Sequence, residues 1–149
     1  MSARTKFMGY VLAQVDKPCL WGAKGDDAFD CSGLVTCGIR AAGGPDLTKT
    51  VNANALAKNT RPLLPAEKPL PGDLIFFDAE RDGIDEHVGI VVDENTALDA
   101  EGATSRVTSL EEAVKRHAKV RLHSGHQYRK SFRAIHRNTY LDSIDFVTT

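Results

Sequence analysis

Phe29-Asp30-Cys31-Ser32-Gly33-Leu34-Val35 is the stretch on which the reading of this chain turns. From Cys31 onward, Leu34, Val35, Gly38, Ile39 and Ala42 recur at the spacing of one helical face. Asp30 stands at the N-cap position, where its carboxylate accepts from the first unpaired N–H groups, and Gly43-Gly44-Pro45 stops the helix. Cys31 is therefore expected in the first turn of a helix. There the unpaired N–H groups and aligned peptide dipoles favour negative charge, the condition under which a thiol reacts as thiolate. Gly33 and its small neighbours leave room for a substrate to approach the sulfur. The same pattern also fits a cysteine buried in a helix without chemistry, so the rest of the chain must decide.

Before this helix, Phe7, Met8, Val11, Leu12 and Val15 mark an amphipathic helix, followed by a turn-rich stretch holding Trp21-Gly22 and Lys24-Gly25-Asp26-Asp27. After it, residues 45–70 are punctuated by Pro45, Pro62, Pro65 and Pro69 and read as a loop with one helical turn near Asn54–Lys58. Strand signals then follow at Leu74–Phe77, Val88–Val92, Ala97–Asp99 and Arg106–Thr108. Ser109-Leu110-Glu111-Glu112 is a capping-box pattern opening a helix to about Lys119, and Val120–Leu122 and Phe132–Arg137 read as late strands. Helices first and a run of short strands after them predict an α+β fold with a mostly antiparallel sheet.

At 149 residues, 42% hydrophobic and 26% charged, the chain reads as one globular domain over 1–149, not a disordered or disulfide-stapled one. Its longest apolar runs, Leu74–Phe77 and Val88–Val92, fall far short of the ~20 residues that span a bilayer, so no transmembrane segment is expected. Met1-Ser2-Ala3-Arg4-Thr5-Lys6-Phe7 lacks the apolar core of a secretory signal, so synthesis in the cytoplasm and three free thiols (Cys19, Cys31, Cys37) are expected. A net charge of −1 hides an uneven distribution. Twelve acids face two arginines between Asp73 and Glu112, whereas residues 113–138 carry eight Lys/Arg and no acid. That basic stretch, from Lys115 to Arg137, reads as a solvated face or as a contact for an anionic envelope surface.

A lone thiol is not an active site; it needs a base, and the base needs an orienting group. His87 opens the apolar run His87-Val88-Gly89-Ile90-Val91-Val92, away from the other four histidines. Gly89 inside that strand implies that something approaches its backbone closely. Asp99 lies between Leu98 and Ala100, an awkward place for an acid without a partner, and an imidazole is such a partner. The plain alternatives are a structural histidine and a solvated strand-end acid.

Four blocks in order carry a resemblance: Trp21-Gly22-Ala23-Lys24-Gly25, Phe29–Val35, Pro71-Gly72-Asp73-Leu74-Ile75-Phe76-Phe77 and His87–Val92. Together they resemble the NlpC/P60 family of cysteine peptidases over roughly residues 8–137, leaving 138–149 as a C-terminal extension. The resemblance implies a papain-like α+β fold and hydrolysis of amide bonds in the stem or cross-bridge peptides of bacterial peptidoglycan, without a cofactor or a catalytic metal. It implies Cys31 as nucleophile and His87 as base. The orienting residue, commonly histidine twelve positions after the base, is here Asp99, an acid that suits the task. Asp30 and Ser32 are implied as substrate contacts, with Trp21 and Cys19 on the preceding loop. Cys19 stands where the family often has tyrosine, and Ala23 replaces its second glycine; both departures point away from recognition of a free amino end.

Other readings meet less support. His117, His123, His126 and His136 could suggest zinc, but no Cys-x-x-Cys or His-Glu-x-x-His spacing accompanies them. A nucleic-acid-binding module would use the basic stretch, whose only aromatics are Tyr128 and Phe132. The expected setting is a phage endolysin reaching the wall through holin lesions, with a type VI secretion amidase effector or a phage tail-tip peptidase as alternatives.

Overall fold

A computed structural model describes residues 1–25, 27–102 and 106–148. The elements run α1 (Ala3–Leu12), α2 (Cys31–Ala41), α3 (Ala53–Lys58), β1 (Arg61–Pro62), β2 (Leu74–Phe77), β3 (His87–Asp93), β4 (Thr96–Glu101), α4 (Leu110–Lys115), β5 (Lys119–Ser124), β6 (Phe132–Arg137) and α5 (Thr139–Thr148). The strands form one antiparallel sheet in the order β1-β6-β2-β3-β4-β5. This is the expected α+β arrangement.

Strand alternation divides the sheet's side chains between two faces. Leu74, Phe76, Val88, Ile90, Leu98, Ala100 and Val120 join the main core with Phe7, Val11, Leu34, Val35 and Ile39 of helices α1 and α2. Ile75, Phe77, Val91 and Ala97 face the other way and pack with Tyr128, Phe132 and Ile135. His87 and Asp99 share this second face by the same alternation.

Several boundaries differ from expectation for local reasons. Helix α1 ends at Leu12 rather than Val15, because Asp16 takes a positive φ of 75° and its N–H donates to Val120 O of β5 (2.8 Å). Helix α4 stops at Lys115 because His117 adopts φ 55° and Ala118 N–H turns back to Ala113 O (2.8 Å). The strand expected at Arg106–Thr108 does not form; Val107 is instead a buried anchor whose carbonyl accepts from Trp21 N–H (2.9 Å). Pro62 contributes to the short edge strand β1 inside the proline-punctuated loop.

The C-terminal extension after β6 forms a helix, α5. Helix α5 docks on α1: Leu141 is fully buried, Ala3 N–H donates to Asp145 Oδ1 (2.9 Å), and Arg4 reaches Asp142 (3.3 Å). Beneath this junction lies the buried carboxylate of Asp73, which accepts from Arg4 (2.9 Å), Leu70 N–H (2.8 Å) and Asn138 N–H (3.0 Å) and stands 3.5 Å from Arg137. It ties the start of β2 to the end of β6 and to α1.

Candidate active site

Asp30 caps α2 as its sequence suggested: the carboxylate accepts from Gly33 N–H at 2.6 Å, and the chain enters the helix extended. Cys31 is the first residue of α2, half-buried at the wall of a cleft of about 770 Å³. Trp21, Lys24, Asp30, Ser32, His87, Ala100, Glu101 and Arg129 also line it. By helix geometry the N–H groups of Cys31 and Ser32 have no intrahelical acceptor. Gly33 does not open the sulfur to a substrate. A Cβ there would fall 2.4 Å from Ala23 O, so its bareness accommodates the chain's own loop.

His87 begins β3 opposite Phe77 of β2, and the two rings pack with centroids 5.4 Å apart. Its Nε2 lies 2.7 Å from Asp99 Oδ2, and the ring faces the same cleft as Cys31, whose thiol favours the protonated imidazole. Because Asp99 is ionised, Nε2 carries the hydrogen and donates, leaving Nδ1 as the nitrogen available for proton exchange. Burial pushes the imidazolium down, but the bonds to Asp99 and Cys31 outweigh it and hold His87 up at about 9. Burial pushes the Asp99 carboxyl up, yet the donors His123, His87 and Tyr128 hold it well below the usual carboxylate range.

Two of those donors escaped the sequence reading. His123 of β5 donates to Asp99 Oδ1 (2.8 Å), and the hydroxyl of Tyr128 donates to Oδ2 (2.7 Å). Extending the β3–β4 register, Ile90 with Leu98 and Val91 with Ala97, sets Gly89 opposite Asp99. A Cβ on Gly89 would come within 2.5 Å of the Tyr128 hydroxyl oxygen. The close approach that Gly89 implied is therefore this phenol. His123 shared the basic stretch with three other histidines, which masked it; the register of β5 against β4 separates it from them.

Asp30 and Ser32 do meet in the cleft, but they are occupied by Lys24. Its Nζ lies 2.7 and 3.0 Å from the Asp30 oxygens and 3.1 Å from Ser32 Oγ. Trp21 is exposed at the rim, and Cys19, although only 1% exposed, also lines the cleft wall. No disulfide joins the three described cysteines.

His87, Asp99 and Glu101 bring potential ligand atoms within 4.8 Å of one another. A cation there would have to displace the His87, His123 and Tyr128 donors from Asp99, so the group is built as a hydrogen-bond network. The other histidines do not converge: His126 bonds Asp93 O (2.7 Å) and His136 bonds Thr60 (3.0 Å). In the basic stretch, Arg116, Lys119, Arg121, Arg133 and Arg137 make ion pairs with acids elsewhere in the chain. Among the described residues, Lys115, Arg129 and Lys130 make none. No helix among the described residues is long and apolar enough to cross a membrane.

The sequence profile of the NlpC/P60 family matches residues 16–135, which hold every element from the turn before Cys31 through most of β6. The chain belongs to the NlpC/P60 family. Among curated NlpC/P60-related proteins, it is 30% identical over 108 residues to murein DD-endopeptidase MepH of Escherichia coli K12, covering 70% of this chain and 40% of that protein. The chain thus spans less than half the length of this relative. Among solved NlpC/P60 structures, NlpC2 of Trichomonas vaginalis superimposes with a TM-score of 0.71 at 22% identity over 92% of this chain and 46% of that one. RipD of Mycobacterium tuberculosis, described as a non-catalytic NlpC/p60 domain adapted to peptidoglycan binding, gives 0.65 at 16% identity, covering 92% of this chain and 98% of that one. At these identities both likenesses concern the papain-like fold.

Proposed function

We propose that residues 1–149 form one catalytic domain, a cysteine hydrolase that cuts amide bonds in the peptide part of bacterial peptidoglycan. The observation that carries the reading is the buried Asp99–His87 hydrogen bond opening onto the same cleft as Cys31, which stands at a helix N-terminus. The name of the relative MepH, a murein endopeptidase, supports the substrate class.

In this reading the Cys31 thiolate, paired with the His87 imidazolium, attacks an amide carbonyl. The carbonyl becomes an oxyanion facing the N–H groups at the start of α2. The C–N bond breaks as His87 protonates the leaving amine, and a thioester remains on Cys31. Water, deprotonated by His87, then releases the acid and regenerates the thiolate. Asp99 stays ionised throughout and keeps the ring oriented.

The test is mass spectrometry of sacculi digested by wild type and by Cys31→Ala. The wild type should release fragments with new peptide termini and intact glycan, and the variant none. Fragments from the variant would remove the thiol mechanism. Wild-type binding to sacculi without any product would place the chain with non-catalytic relatives such as RipD. The setting carried forward from the sequence is that of a phage endolysin. In that case co-expression with a holin lyses E. coli, and neither protein alone does.

A further inference from the structure

Asp99 is served by more donors than the orientation of one imidazole requires. On one sheet face His87 of β3 and His123 of β5 flank it diagonally, at 2.7 Å from Oδ2 and 2.8 Å from Oδ1. Tyr128, in the connection between β5 and β6, adds a hydroxyl to Oδ2 at 2.7 Å. The two extra donors are locked to each other. The His123 ring lies on the Tyr128 ring with centroids 3.9 Å apart and planes 5° from parallel. Phe77 closes the assembly, 5.0 Å from Tyr128 and 5.4 Å from His87. Gly89 supplies the space, since a methyl there would strike the Tyr128 hydroxyl at 2.5 Å.

A carboxylate held by one partner can turn about its side-chain torsions and exchange oxygens. Pinned at Oδ1 by His123 and at Oδ2 by Tyr128, the Asp99 carboxylate has one plane and one oxygen for His87. We propose that His123 and Tyr128 are positioning residues: they fix the rotation of Asp99 so that the His87 ring is held toward Cys31. This rests on the assignment of Cys31, His87 and Asp99 made under Proposed function. It differs from mere satisfaction of a buried acid, for which any donor would serve.

The test uses the full chain and two readouts, kcat and KM on soluble muropeptides and, without substrate, the rate and pH profile of Cys31 alkylation by iodoacetamide. Tyr128→Phe keeps the ring stack and deletes only the hydroxyl. It should lower kcat by about 10- to 100-fold, the cost of a small misplacement at a reacting group, with KM little changed. Alkylation at neutral pH should slow with it. Gly89→Ala should act in the same way by displacing the hydroxyl. The double variant should be no worse than Tyr128→Phe alone, because the phenyl ring lacks the atom the methyl would hit. His123→Gln, which keeps an N–H donor, should retain more activity than His123→Leu.

Wild-type kcat and alkylation in Tyr128→Phe would overturn the proposal. So would losses from Gly89→Ala and Tyr128→Phe that multiply in the double variant. If wild type cleaves no muropeptide while alkylation still slows in Tyr128→Phe, the clamp stands and the hydrolase reading falls. Circular dichroism of each variant separates these outcomes from unfolding.

Discussion

The ammonium of Lys24 sits 2.7 Å from Asp30 Oδ2 and 3.0 Å from Oδ1, and its third contact is Ser32 Oγ at 3.1 Å. All three of its N–H directions are used, so the acidic corner beside Cys31 already holds a cation of the chain's own. A substrate arriving with a free ammonium would meet a like charge there; one whose amino end is acylated would not.

Lys24→Met should therefore change substrate preference more than turnover. The ratio of KM for acylated over free-amine stem peptides should rise by about five-fold, the size of a partly exposed ion pair worth ~1 kcal/mol. Steady-state kinetics on the two peptide series measures it, and an unchanged ratio would remove Lys24 from specificity.

Asp99→Asn should lower kcat on the order of 10⁴-fold, the scale for loss of a triad carboxylate. It should also cost about 1–3 kcal/mol of stability, because the His87, His123 and Tyr128 donors lose a charged acceptor. Kinetics and thermal melting followed by circular dichroism report the two separately. A variant that turns over normally would detach Asp99 from the chemistry.

The pH dependence follows from the His87 network. Burial works against the imidazolium, but Asp99 and Cys31 raise His87 to about 9, so the thiolate–imidazolium pair and the activity should be lost on the alkaline side with a midpoint near 9. A raised histidine stabilises the fold fully below its unfolded value of about 6.5, and that stabilisation disappears as pH rises through about 9. Asp99, whose burial cost is outweighed by its donors, has the opposite sign: its contribution is present above the ordinary carboxylate range and lost in acid. The melting-temperature gap between wild type and His87→Gln should accordingly narrow from neutral to alkaline pH. A constant gap would contradict the coupling.

Asp73→Ala should leave Arg137 and Arg4 facing a vacated, buried acceptor site. Breaking a buried pair from one side costs about 3–5 kcal/mol, measurable by urea denaturation. A loss under about 1 kcal/mol would show that Asp73 is not the junction described here.

The elements legible in the sequence were those whose signal is local. The α2 start could be read because Asp30 and the apolar period coincide at Cys31, and the β2 and β3 runs because Leu74–Phe77 and Val88–Val92 have no competing helical period. Asp99 was legible by its awkwardness among apolar neighbours. His123 and Tyr128 were not, since their meaning arises only when β5 pairs with β4 and the following loop folds over Gly89. Helix α5 has Asn138, a favoured cap residue, before its start, but its docking is fixed by Asp145 accepting from Ala3 of α1, far away in sequence. Val107 misled for the converse reason: a buried β-branched residue reads as a strand, although here it anchors a turn to Trp21.

The contact from Ala3 N–H to Asp145 Oδ1, 2.9 Å long, brings the two ends of the described chain together on one flank of the molecule. A short glycine–serine bridge could then join residues 1 and 148, none of the cleft-lining residues lying beside either, and new ends could be cut into the exposed 79–83 loop. Such a rewired protein should keep Cys31, His87 and Asp99 in register, since α2, β3 and β4, which carry them, would each stay unbroken.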